Sequence, residues 1–174
     1  IIGTDLVAKA APDGYTLLSA TTAQIVINPV LYRGKLPFDA ENDLVPVTQI
    51  ATTTSVVIAT PSFTAKNIRE LIALAKEKPG SVIYASSGAG SVVHISTALF
   101  ESATGVKMLH VPYRGGALVI PDIMSGRVML YFGSLQNLIQ HVRANRLRAL
   151  GMASLKRIQA APDIPTIAES GLPG

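Results

Sequence analysis

The chain has 174 residues, 48% of them hydrophobic and 15% charged, with a formal net charge of +4 and no cysteine. That length supports one or two domains with a real core. The lack of cysteine excludes a disulfide framework, a cysteine-based metal site and a thiol nucleophile. No apolar run approaches the roughly 18 residues that a membrane helix needs.

Taken in chain order, Thr4–Gly14 reads as the end of a helix, stopped by Pro12 and Gly14. Tyr15–Ala20 reads as a strand, Thr21–Tyr32 as a turn into a short helix with Pro29 near its first turn, and Leu36–Val47 as loop. From about residue 50 the pattern becomes regular. Strands are predicted at Ser55–Thr60, Ser81–Ala85, Lys107–Tyr113, Arg127–Gly133 and Leu147–Ser154. Helices are predicted at Asn67–Lys78, Ser91–Ala103, Gly116–Met124 and Leu135–Asn145, with Pro121 acceptable only in a first turn. Ala161–Gly174 reads as loop with a short helix. Short Val/Ile-rich runs such as Thr54–Thr60 are what strands covered on both faces look like. Alternation of five strands with four helices points to an α/β fold with a doubly wound, mostly parallel sheet. In such sheets ligands bind beyond the carboxyl ends of strands.

The late basic residues Arg143, Arg146, Arg148, Lys156 and Arg157 are interrupted by apolar ones and have no aromatic interleaving, so a solvated face is expected and no nucleic acid. The stretch from Ser86 to Ser91, "SSGAGS", lies between a predicted strand and a predicted helix. Small side chains and two glycines let a ligand approach the backbone, and a helix start carries unpaired amides and partial positive charge. A carboxylate or phosphate suits such a place; a plain turn whose serines cap the helix also fits. Neither nucleotide-loop pattern is present, because no Lys or Arg lies between Lys78 and Lys107 and Val93 stands where a third glycine should be. His94 falls in the first helical turn as a neutral donor or a packed ring, without partners for a metal site. A triad of Ser91, His94 and Asp122 lacks the G-x-S-x-G context. Tyr113-Arg114-Gly115-Gly116 and Gly133-Ser134 are further strand-end loops.

Six segments in order, "GTDLVAKAAPDGYTLL", "INPVLY", "ELIALAKEKPG", "YASSGAGSVVH", "HVPYRGG" and "APDIPTIAESGLPG", resemble the substrate-binding proteins of tripartite tricarboxylate transporters, the Bug family. The resemblance implies a periplasmic, non-enzymatic receptor of periplasmic-binding-protein-like fold, with two α/β lobes that close on a small organic acid (a di- or tricarboxylate, or an amino acid). It also implies delivery to membrane permease subunits, with no cofactor and no metal. Residues 1–51 and 153–174 would belong to one, incomplete lobe, and 52–152 to a complete one. Carried over residue by residue, Ser87, Gly88, Ala89, Gly90, Ser91 and His94 match the loop and helix start that receive a carboxylate. Thr21 matches a residue on the facing lobe, and Tyr113 and Gly115 match a loop lining the cleft. Gly133 falls where members often carry Asp, and Ala89 where they often carry Asn. Relatives extend further at both ends, and Ile1 is not Met and no export signal is visible, so a central, processed or truncated piece is expected. The rivals are a small serine-dependent hydrolase or transferase of α/β fold using Ser91 or Ser87, and a regulatory sensor domain.

Overall fold

The computed structural model describes residues 1–172. By its contacts the chain divides into two compact units, one of Ile1–Ala51 with Gly90–Val92, the other of Thr52–Ala89 with the chain from Val93 onward.

The first unit holds two short helices, α1 (Ile2–Ala8) and α2 (Asn28–Leu31), the latter preceded by a π-type turn over Ala23–Ile27. Pro29 lies at the start of α2, where a missing N–H costs nothing. The expected strand at Tyr15–Ala20 does not form: Tyr15 is 92% and Leu17 72% exposed. A strand exists through hydrogen bonds to a neighbouring strand, and no described residue pairs with this segment. Leu31 Cδ1 lies 2.8 Å from where a Cβ on Gly90 would stand, so α2 packs against Gly90 within this unit.

The second unit is built on β1 (Ser55–Ala59), α3 (Ile68–Glu77), β2 (Ile83–Ser86), α4 (Val92–Thr104), β3 (Leu109–Pro112), α5 (Val119–Met124), β4 (Leu130–Ser134), α6 (Leu135–Arg143) and β5 (Arg148–Ala153). The strands form one sheet in the order β3-β2-β4-β1-β5. β2 pairs in parallel with β3 and β4, whereas β1 runs antiparallel to both β4 and β5. The sheet is therefore mostly parallel in strand direction, with one reversed strand inside it.

β1 explains the apolar run around Thr54–Thr60. Lying between two neighbours, it buries Val56, Val57, Ile58 and Ala59 completely. Val57 and Ala59 join a cluster with Ile68, Leu71 and Ala75 of α3, Phe100 of α4, and Phe132 and Leu150 of the sheet. Val56 and Ile58 join the opposite cluster, with Val119 and Ile123 of α5, Leu135 and Leu138 of α6, Ala85, Tyr131 and Met152. Helices thus cover both faces, two on each.

Local signals set the helix bounds. Asn67 caps α3 by accepting from the Glu70 N–H (2.9 Å), and Glu70 reaches back to the Lys66 N–H (2.8 Å), a reciprocal cap. Pro121 sits in the first turn of α5, after a 3-10 turn over Gly116–Leu118.

The segment beyond Ala153, expected with the first lobe, groups here with the second unit. The Met152 N–H donates to the Pro165 carbonyl and the Ile167 N–H to the Met152 carbonyl (each 2.8 Å), and Arg69 of α3 donates to the Ser170 carbonyl. Ile167 and Leu172 pack against the core. Main-chain pairing along β5 and apolar burial hold the segment there.

Candidate functional site

β2 and β3 run side by side and end together, which brings their following loops into contact. The Tyr113 N–H donates to the Ser86 carbonyl (2.9 Å), and a Cβ on Gly88 would stand 3.5 Å from the Tyr113 carbonyl oxygen. Gly88 has φ +136° and Gly115 φ +136°, ψ 151°, a region open essentially to glycine.

Ser86, fully buried, organises the start of the loop. Its Oγ lies 3.0 Å from the Gly88 carbonyl oxygen, 3.2 Å from the Gly88 nitrogen and 2.7 Å from His110 Nε2. All three are satisfied when the hydroxyl donates to the Gly88 carbonyl and accepts from the Gly88 N–H and a protonated His110 Nε2. Ser87, Gly88 and Ala89 follow as half-buried or exposed residues. Gly90 and Ser91 lead into α4, which starts at Val92, so Ser91 occupies the position before the first helical residue.

His94 faces His110 across α4 and β3, with the rings stacked at 4.2 Å and 10°. His110 stacks in turn on Tyr84, its partner across β2 and β3, at 4.9 Å and 16°. Burial lowers the His110 pKa, and the neighbouring His94 adds to that. Burial, with the Glu101 carboxylate, pushes the Tyr84 phenol up to about 12. The unfolded chain therefore protonates His110 first as pH falls below the ordinary 6.5. Its contribution to stability is complete above that value and is lost as pH drops toward the folded pKa. Melting temperature is expected to fall more steeply between about pH 7 and pH 5 in the wild type than in His110→Gln. Equal slopes would remove His110 as a source of the dependence.

The remaining residues that the sequence singles out are used differently. Thr21 is exposed in the first unit, and its N–H (3.0 Å) and hydroxyl both donate to Gln24 Oε1, closing the turn before α2. The Tyr113 hydroxyl donates to Asp122 Oδ2 (2.6 Å), and Arg127 donates to Oδ1 (3.1 Å). These partners hold the Asp122 pKa below the usual carboxylate range, the tyrosine bond most of all. Neither Asp122 oxygen goes to His94, so the triad of Ser91, His94 and Asp122 is not assembled. Arg114 is exposed. Of the late basic residues, Arg148 donates to the Phe63 carbonyl, Arg143 to the Ala160 carbonyl, and Arg157 makes a forked pair with Glu169.

Gly133 is buried in β4 opposite Val56. A Cβ there would stand 2.3 Å from Tyr131 Cε1 and 2.5 Å from Leu138 Cδ1, so its side-chain space is already filled. Tyr131 is the residue that sequence reading misses. The signal is the pleat: Tyr131 and Gly133 share one face of β4, a large ring beside a glycine.

Two surface concavities, of ≈ 380 and ≈ 330 Å³, are lined by residues including Glu101, Lys107 and Met108, and Pro61, Arg148 and Asp163; neither reaches the 86–91 loop. Among the described residues there is no group of three or more His, Asp or Glu side chains that could hold a metal, and no helix is long and apolar enough to cross a membrane.

Residues 1–174 match the family model described as "Tripartite tricarboxylate transporter family receptor". The chain is 41% identical to a UPF0065 protein in the tcbD-tcbE intergenic region of Pseudomonas sp. strain P51, over 100% of the chain and 52% of that protein. It is similar to the solved structure of R. palustris Rpa4515 with adipate, at 35% identity and a TM-score of 0.91, over 99% of this chain and 57% of the other. It is also similar to MatC from Rhodopseudomonas palustris with bound malate, at 26% identity and a TM-score of 0.86, over 98% and 58% of the two chains. The chain spans about half the length of the relatives it matches.

Proposed function

Because the chain belongs to the tripartite tricarboxylate transporter receptor family, we propose that the full-length protein captures a small carboxylated solute in the periplasm and hands it to the transporter's membrane permease. The reading is of a receptor without turnover. The observation that carries it is the 86–91 loop of small residues, which ends at the start of α4 beside the strand ends of β2 and β3. There the first-turn amides and the helix dipole favour a carboxylate, and charge-assisted bonds are stronger than neutral ones. Ser87, Gly88, Ala89, His94, Tyr113 and Gly115 are the contact residues we assign on the second unit, and Thr21, Gly90 and Ser91 those on the first. Residues 1–51 are assigned to one lobe and 52–152 to the other, the chain crossing at 51–52. The adipate and malate bound by the two structural relatives favour a dicarboxylate as ligand.

Calorimetric titration of the full-length protein with adipate and malate tests this. Ser91→Pro removes one hydroxyl and one N–H at the helix start, and is expected to weaken binding about tenfold. Equal affinity in both proteins would overturn the assigned site. A serine that takes up an acyl group from an activated ester, with turnover, would overturn the receptor reading in favour of a hydrolase.

A further inference from the structure

Tyr131 combines two properties that a purely structural tyrosine does not need together. The residue is only 6% exposed, with its ring wedged over Gly133 and among the side chains between the sheet, α5 and α6. Its hydroxyl nonetheless makes no hydrogen bond to any described residue, and it is not among the polar atoms sealed off from solvent without a partner. A hydroxyl that reaches solvent at the end of a buried ring is one that water can satisfy, and one that a ligand acceptor can take over from water. Phenylalanine would fill the same space but offer no donor there.

The position of the hydroxyl says what it is for. Tyr131 pairs with Ala85, one residue before the Ser86 that begins the candidate carboxylate loop. The ring leans along β4 toward Gly133, the carboxyl end of the strand. There the hydroxyl lies 2.6 Å from where a Cβ on Gly116 would stand, so it abuts the Tyr113–Gly116 loop, and only glycine leaves it room. Leu138 and the two glycine positions hold the ring in one place. This is a fixed donor at the same end of the sheet as the β2–α4 loop.

We propose that the Tyr131 hydroxyl is a specificity-determining donor that takes a second oxygen acceptor of the bound organic acid, other than the carboxylate held at α4. This rests on the transport reading above and narrows its ligand. The phenol is neutral, since burial raises its pKa. Gly133 brings no charge, and Asp122 is already paired with Tyr113 and Arg127. The site therefore favours diacids and oxygen-substituted acids over acids with an ammonium group or a plain alkyl tail.

The test is calorimetric titration of the full-length wild type, Tyr131→Phe, Gly116→Ala and the double variant. The probes are the straight-chain diacids from succinate to adipate and the matched monoacids from butyrate to hexanoate. The wild type is expected to bind at least one diacid. Tyr131→Phe is expected to melt no lower than wild type and to lose about tenfold in diacid affinity, the size of one hydrogen bond to a charged acceptor. Monoacid affinity stays within about twofold. Gly116→Ala pushes on the phenol and weakens diacid binding, and its effect disappears in the Tyr131→Phe background. Equal diacid affinity in wild type and a folded Tyr131→Phe overturns the proposal, as does an equal loss for diacids and monoacids. A wild type that binds no diacid overturns the transport reading itself, and the assignment of Tyr131 with it.

Discussion

Gly133→Asp is expected to unfold the protein or bring it close to unfolding. The first added atom alone falls 2.3 and 2.7 Å from Tyr131 Cε1 and Cδ1 and 2.5 Å from Leu138 Cδ1. Overpacking a filled core costs about 1–3 kcal/mol, and leaving a carboxylate in that core without a partner adds several more. Against a total stability on the order of 5–15 kcal/mol, the melting temperature should drop by about 10 °C or more. Gly133→Ala isolates the steric part and should cost about 1–3 kcal/mol. Adding Tyr131→Ala empties the space that the aspartate needs, so the double variant should recover part of the loss. Thermal unfolding of the four proteins decides it. A Gly133→Asp protein as stable as wild type would mean that the ring does not lie over this position.

The second large effect is expected on binding more than on stability. Gly115 holds φ +136° and ψ 151°, and nothing lies within 4 Å of where its Cβ would stand. Gly115→Ala therefore meets no clash, only backbone strain of about 1–3 kcal/mol. A half-buried surface loop escapes such strain by shifting, at little cost to the melting temperature. The shifted loop would carry Tyr113 away from Gly88 and Gly116 away from Tyr131. If the strain must be restored on binding, diacid affinity falls between about 5- and 150-fold. Calorimetry and thermal unfolding separate the two contributions. Wild-type affinity in Gly115→Ala would show that the loop's conformation does not matter to the ligand.

How much of this is legible in the sequence depends on what each signal encodes. The alternation of short apolar runs with amphipathic helices marks all five strands of the second unit, most plainly β1, β2 and β4, where burial on two faces leaves few polar positions. Asn67 and Glu70 announce the start of α3 through a cap that involves only neighbours in the chain. The direction of β1 is not written in its residues: "SVVIA" is equally apolar read either way, and only its pairing with β4 and β5 reverses it. Tyr15–Ala20 has the composition of a strand, yet composition supplies no neighbour to bond with. The loop from Ser86 to Ser91 stands out because six small residues in a row are unusual. Tyr131 does not, because a tyrosine in an apolar strand looks like core until its hydroxyl is found without a partner. The pairing of Pro165–Ile167 with Met152 of β5 is equally hidden, since main-chain bonds are ones that any sequence can make.

The reversed strand β1 also bears on the order of assembly. Ser55 lies opposite Ser134 on one side and Ala153 on the other, so both neighbours of β1 come from far along the chain. Closing loops of that length precedes any reward from the contacts they make, which slows folding. During synthesis, β1 has no place to go until β4 and β5 have left the ribosome. Until then its apolar residues have no sheet to enter, and such transiently exposed strands are where aggregation starts.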